Sequence, residues 1–96
     1  MIQYKASDCY IHKTIVDDDY LFPVGKIALK RNGIIFLNET AFFLWNELSE
    51  KKTKDELCSA LAGQYDTEVK SVEEDVIAFI ESLLAVDALE EYNKNT

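Results

Sequence analysis

The chain has few residues that interrupt helices and strands or form cross-links: it contains 1 proline, 3 glycines and 2 cysteines among 96 residues. With 48% hydrophobic residues, this composition excludes collagen-like, low-complexity and disordered chains. Cys9 and Cys58 lie far apart and form no CxxC pair, so the sequence predicts neither a disulfide framework nor a zinc site. We expect one domain over residues 1–96, with a flexible start at 1–8 and a flexible tail at 92–96.

Long apolar runs and an excess of basic residues are also missing. No run approaches the roughly 20 residues of a membrane-spanning helix. Residues 1–8 contain no apolar segment of the kind found in a secretory signal, so we expect a cytoplasmic protein without a membrane partner. The net charge is -8, and residues 39–96 hold 14 acidic but only 5 basic side chains. Because phosphate repels acidic surfaces, nucleic acid is not an expected partner.

No group of residues predicts catalysis. The single histidine, His12, lies within a predicted strand with no metal ligand at a suitable spacing, and Cys58 has no histidine to activate it. The acidic runs Asp17–Asp19 and Glu73–Asp75 lack the ligand spacing of a calcium loop and are interpreted as a turn and a helix N-terminus. We therefore predict no enzyme activity, no metal site and no cofactor.

Three strands are predicted in the first half of the chain. Residues 10–16 and 20–24 are rich in β-formers and read as a hairpin, with Asp17–Asp19 as its turn. Pro23 ends the second strand or places it at an edge. A connector over residues 25–32 leads to the Asn32-Gly33 turn signal, which precedes the third strand at residues 34–37.

Three helices are predicted in the second half. Asn38 is a candidate N-cap for a helix over residues 39–48, with an apolar stripe at helical spacing. The Thr53–Glu56 capping box begins a second helix, and a box at Ser71–Glu74 begins a third that ends near Val86. The predicted fold is α+β, with an N-terminal three-stranded antiparallel sheet followed by a three-helix bundle.

The third helix has more apolar surface than one narrow contact needs. One stripe predicts its core face, and Ile77, Ile80 and Leu84 form a second stripe that is either a broader core face or the wall of a hydrophobic groove. An edge strand beside such a groove is suited to capture a peptide by strand addition. The candidate peptide-binding residues are Ile34, Ile35, Phe36, Leu37, Val76, Ile77, Ile80 and Leu84.

The order of these segments resembles the PqqD family from about residue 10 to residue 91. The most specific part is the strand-to-helix segment Leu37-Asn38-Glu39-Thr40-Ala41 followed by Leu44-Trp45. The resemblance implies a winged helix-turn-helix-like domain, also called a RiPP recognition element. Such a domain binds the leader of a ribosomally synthesised precursor peptide beside its third strand. It then presents that peptide to a modifying enzyme of natural product biosynthesis, often a radical SAM enzyme.

Several alternatives stay open at this level. Alternation places Ile34 and Phe36 on one face of the strand and Ile35 and Leu37 on the other, without deciding which pair is buried. Lys26, Lys30 and Arg31 either contact acidic leader residues or belong to a solvated loop. The protein is expected to be a monomer or a weak homodimer. A DNA-binding winged-helix regulator and a small dimerisation module are the alternative functions.

Overall fold

A computed structural model describes residues 1–30 and 33–93. The strands of this part are β1 (Ile2–Ala6), β2 (Tyr10–Ile15), β3 (Asp18–Pro23), β4 (Ile35–Leu37), β5 (Lys52–Thr53) and β6 (Leu89–Asn93). The helices are α1 (Ile27–Lys30), α2 (Glu39–Glu47), α3 (Lys54–Gln64) and α4 (Val69–Ala85). Asn32 of the predicted turn, Arg31 and residues 94–96 of the predicted tail lie outside the described residues. The α+β class predicted from the sequence is confirmed.

The predicted three-stranded antiparallel sheet is formed by β2, β3 and β4 in that order. Ile11 is opposite Phe22 across the first pair, and Tyr20 is opposite Phe36 across the second. The strand order places β4 at an edge of the sheet, as the sequence predicts. Ile34 was expected within this strand, but β4 begins one residue later, at Ile35.

The hairpin between β2 and β3 turns at Val16 and Asp17, whose φ angles of 49° and 70° are both positive. Two positive φ values are typical of a two-residue type I′ turn, which matches the twist of the flanking strands. The predicted turn at the three aspartates is therefore misplaced, because Asp17 lies in the turn but Asp18 and Asp19 belong to β3. Asp19 lies in β3, where its Oδ1 accepts a 2.8 Å hydrogen bond from the Thr14 hydroxyl and lies 2.7 Å from His12 Nε2.

A second sheet, with strand order β5-β1-β6, was not predicted. Residues 2–6 form its central strand, so most of the segment expected to be a flexible start is paired with β6, and Gln3 and Tyr4 are paired with β5 as well. Gln3 is opposite both Thr53 and Tyr92, and the latter lies in the expected tail. These pairings join distant parts of the chain, and β5 has only two residues, so no local pattern marks them. A short helix, α1, also lies in the predicted connector.

Two of the three predicted helix starts are confirmed. The Asn38 side chain accepts a 2.8 Å hydrogen bond from the Ala41 amide, and Thr53 and Glu56 form a reciprocal capping box. The box predicted at Ser71 is wrong, because α4 begins earlier, after Glu68, without a side-chain cap. No helix in residues 1–30 and 33–93 is long and apolar enough to cross a membrane.

The buried side chains form one hydrophobic cluster between the two sheets and the three longer helices. On α2, Leu44, Trp45 and the following Leu48 are buried, as the apolar stripe predicts, and Ala41 is half-buried. Leu21 of the first sheet is fully buried in the same cluster. The core therefore covers one face of each sheet and leaves the opposite faces in solvent.

Candidate functional site

A cleft lies between the edge strand β4 and helix α4, and its volume is about 380 Å³. We refer to it as the β4–α4 cleft. Its lining is mostly apolar and comes from β4, the start of α2 and one face of α4: Ile35, Phe36, Leu37, Asn38, Thr40, Ala41, Leu44, Asp75, Ala78, Phe79, Ser82 and Leu83. The lining joins a sheet edge to a helix wall, which is the pairing of elements predicted from the sequence.

The orientation of β4 answers the question that the sequence left open. Leu37 is buried and Ile35 half-buried, so this pair faces inward, whereas Ile34 and Phe36 are each 56% exposed. The inward pair continues the core of the sheet, because Leu37 is opposite Asp19 and Ile35 is opposite the fully buried Leu21. The cleft therefore has a rigid floor on its sheet side.

The outer edge of β4 has no partner strand among the described residues, since β4 pairs with β3 alone. Along such an edge, alternate residues direct their N–H and C=O groups away from the sheet. These groups are satisfied by water or by an added strand. The β4–α4 cleft thus offers backbone hydrogen bonds along one wall and side-chain contacts along the other.

The wall on α4 differs from the one predicted. Asp75, Ala78, Phe79 and Ser82 follow one another at helical i, i+3, i+4 and i+7 spacing along the cleft. The Ser82 hydroxyl donates a 2.8 Å hydrogen bond to the Ala78 carbonyl, so it folds back onto the helix. Ala78 and Ser82, two small residues beside Phe79, leave room in front of the helix, and their i, i+4 spacing is visible in the sequence.

The predicted wall residues lie elsewhere on α4. Val76 and Ile80 are buried at 0% and 5% exposure, and Ile77 and Leu84 are half-buried. None of these side chains lines the β4–α4 cleft. The open-groove assignment is corrected, because Ile80 is buried in the core and neither Ile77 nor Leu84 lines the cleft, while α4 packs against α3 and β6. The side that faces β4 is open instead.

The predicted charged contacts are not at the cleft either. Lys26 lies just before α1 and Lys30 is its last residue. Both side chains are exposed, and neither lines the cleft. Arg31 lies outside the described residues. Asp75 is the charged residue of the cleft lining. The charge at this site is therefore opposite in sign to that of the basic contacts, which were one of the two alternatives that the sequence left open.

Aromatic side chains continue from the cleft over the outer face of the first sheet. The Phe36 and Tyr20 rings meet edge-on with their centroids 5.7 Å apart, and the centroids of the Tyr20 and Phe22 rings are 6.5 Å apart. The Lys13 ammonium lies 5.9 Å from the Phe22 ring, within reach of a cation–π contact. Phe36 thus stands at the rim, supported on its far side by a neighbouring ring.

The remaining reactive groups lie away from the cleft. Burial raises the pKa of the Cys58 thiol, with the nearby Glu73 charge acting in the same direction. A raised pKa keeps the sulfur protonated and unreactive at neutral pH. His12 contacts Asp19 and lies against the Phe42 ring at 4.7 Å, which gives it a packing role on the inner side of the hairpin. The described residues contain no cluster of three or more potential metal ligands.

Comparisons with known proteins bear on this geometry. No curated protein matches the chain. Among solved structures, TbiB1 in complex with the TbiA(beta) leader peptide is similar, with a TM-score of 0.73 and 26% sequence identity. The likeness covers 94% of this chain and 99% of that chain. The model of the family described as Coenzyme PQQ synthesis protein D (PqqD) matches residues 26–89, about two thirds of the sequence, and the chain therefore belongs to the PqqD family.

Proposed function

We propose that this protein is a non-catalytic adaptor that binds the leader of a ribosomally synthesised precursor peptide and presents it to a modifying enzyme. The observation that carries the proposal is the β4–α4 cleft, where an unpaired strand edge lies beside an apolar helix wall. The similar TbiB1 was solved with a leader peptide, which supports the same class of ligand here.

The dimensions of the cleft suit a short extended segment. From Asp75 to Ser82 the wall runs seven residues along α4, or about 10 Å at 1.5 Å per residue. The three residues of β4 span a similar length, about 10 Å. An extended peptide covers this length with three or four residues. Main-chain bonds to β4 would supply general affinity, and contacts with Phe79 and Leu83 would select apolar side chains.

The proposed mechanism is tethering. Binding the leader raises the effective concentration of the attached core peptide at the enzyme. The enzyme then modifies the peptide faster, although this protein takes no part in the reaction. The resemblance to the family suggests a radical SAM enzyme as the partner. We further propose that the protein acts in the cytoplasm and that the whole chain works as one domain.

The test is a titration of the ¹⁵N-labelled protein with synthetic peptides that cover the short reading frames beside its gene. Leader binding is expected to shift the amide signals of Ile35, Phe36 and Leu37 and those of α4 between Asp75 and Leu83. A matched pair of variants separates the cleft from the rest of the helix. Ala78→Trp fills the cleft, whereas Ala85→Trp places the same ring at another exposed alanine of α4 that does not line it.

We expect Ala78→Trp to weaken binding at least tenfold and Ala85→Trp to leave it unchanged. Two results would contradict the proposal: a folded protein whose β4 amides shift with none of the peptides, or a peptide that binds the Ala78→Trp protein as well as the wild type. Circular dichroism of both variants shows whether each retains the helical content of the parent.

A further inference from the structure

Building on the proposed function, we infer that Asp75 selects leader peptides that carry lysine or arginine two positions from the apolar residue held by the cleft. The inference names a specificity residue and the chemistry of its ligand. It is the reverse of the alternative in which Lys26 and Lys30 contact acidic leader residues, and neither lysine lines the cleft.

Asp75 is the one ionisable group in the described lining, where every other side chain is apolar or neutral. Its carboxylate is exposed and is engaged by no hydrogen bond or ion pair within residues 1–30 and 33–93. A carboxylate at the mouth of an apolar cleft attracts a cationic side chain and repels an anionic one as the bound peptide displaces water. The Asp75 carboxylate is thus available to a ligand and favours a positively charged one.

The surroundings reinforce this sign. Glu74 precedes Asp75 and Glu81 lies further along the same helix, both exposed and outside the cleft lining, whereas Glu73 lies near Cys58 of α3. Residues 39–96, which include all of α4, hold 14 acidic and 5 basic side chains. This excess of acidic charge adds a weaker, salt-screened repulsion to an acidic leader, and Asp75 is the acidic group within the cleft lining itself.

Helix and strand geometry set the spacing of two positions between the basic and the apolar residue of the bound peptide. Asp75 and Phe79 are one turn apart on α4, which corresponds to about 6 Å along the helix axis. In an extended peptide, side chains on the same face recur every second residue, at intervals of about 6.6 Å. For a peptide that runs along α4, a residue packed on Phe79 therefore places the side chain two positions away beside Asp75.

The test uses two synthetic pools of 12-residue peptides with a fixed central leucine. The positions two residues before and after the leucine are lysine in one pool and glutamate in the other, and the remaining positions are mixed identically. Each pool is labelled with fluorescein for anisotropy titration and is also titrated unlabelled into the ¹⁵N-labelled protein. Asp75→Lys is compared with Glu74→Lys, which makes the same charge change at an exposed neighbour outside the cleft.

We expect the wild type to bind the lysine pool about threefold to fivefold more tightly than the glutamate pool at low salt, with a smaller ratio at high salt. Asp75→Lys should reverse the preference, and Glu74→Lys should largely preserve it. Equal binding of both pools with β4 amide shifts, or equal effects of the two variants, would overturn this inference and leave the proposed function standing. Absence of β4 shifts with either pool and with the gene-neighbour peptides would overturn both.

Discussion

The Tyr10 hydroxyl donates a 2.7 Å hydrogen bond to the carbonyl of Val86, the residue that caps the C-terminus of α4. Tyr10 is the first residue of β2 and is only 5% exposed, so the bond joins the first sheet to the end of the long helix. The partners are 76 residues apart in the chain. Because β4 belongs to that sheet, the same bond helps to fix the position of α4 relative to β4, the two walls of the β4–α4 cleft.

Replacing this hydroxyl should weaken the fold. Tyr10→Phe keeps the ring but leaves the part-buried Val86 carbonyl without this donor, which should cost about 1 to 2 kcal/mol of unfolding free energy. Urea unfolding followed by circular dichroism measures the change. Tyr65→Phe, at a 42% exposed tyrosine, is the control. Equal midpoints for the two variants would show that the bond contributes nothing measurable.

The corrected wall of α4 makes a prediction about Ile80. Because its side chain is 5% exposed within the core, Ile80→Ala should lower the unfolding free energy by about 2 to 4 kcal/mol. The half-buried Ile77 is a matched control on the same helix, and Ile77→Ala should cost clearly less. A smaller loss for Ile80→Ala than for Ile77→Ala in chemical denaturation would argue that Ile80 faces an open groove after all.

The hairpin turn can be improved. Val16 is 88% exposed and adopts a φ of 49°, a left-handed conformation that β-branched residues disfavour. Asparagine tolerates this conformation and is preferred in type I′ turns, so Val16→Asn should stabilise the protein by about 1 kcal/mol. Val16→Ala, which keeps the unfavourable φ, should bring no comparable gain. Thermal melts of the three proteins test this, and a lower melting temperature for Val16→Asn would contradict it.

Asp19 makes stability depend on acid pH. Hydrogen bonds from His12 and Thr14 hold the pKa of this carboxyl below its ordinary value near 3.8. A group whose folded pKa is depressed contributes stability in full above its ordinary pKa and loses it as pH falls toward the folded value. Asp19→Asn should therefore be less stable than the wild type near neutral pH. The difference should shrink as the pH is lowered from neutral through the ordinary value of 3.8 and below it.

Urea midpoints measured across this range test the prediction. Thr14→Val removes one of the two donors to the carboxylate and should reduce the pH dependence only in part. A gap between the wild type and Asp19→Asn that stays constant from neutral to acid pH would show that the charge of Asp19 plays no part in stability.

Local sequence signals predicted those features of the structure that depend on neighbouring residues. Asn38 and the Thr53–Glu56 box define helix starts through side-chain bonds to amides three residues away, so they can be read directly from the chain. The β-rich runs likewise predicted the three strands of the first sheet. The hairpin turn was misplaced because the register of the pair, and not the turn propensity of aspartate, decides where the chain reverses.

By itself, the sequence determined the α+β class, the edge strand, two helix starts and the family, because each is carried by local patterning or by a contiguous motif. Only the tertiary structure decided the second sheet, the inward face of β4 and the open side of α4. A helix with two apolar stripes can bury either one, and the choice depends on where α3, β6 and β4 pack around it. That packing buries Ile80 and leaves Asp75, Ala78 and Phe79 to line the β4–α4 cleft.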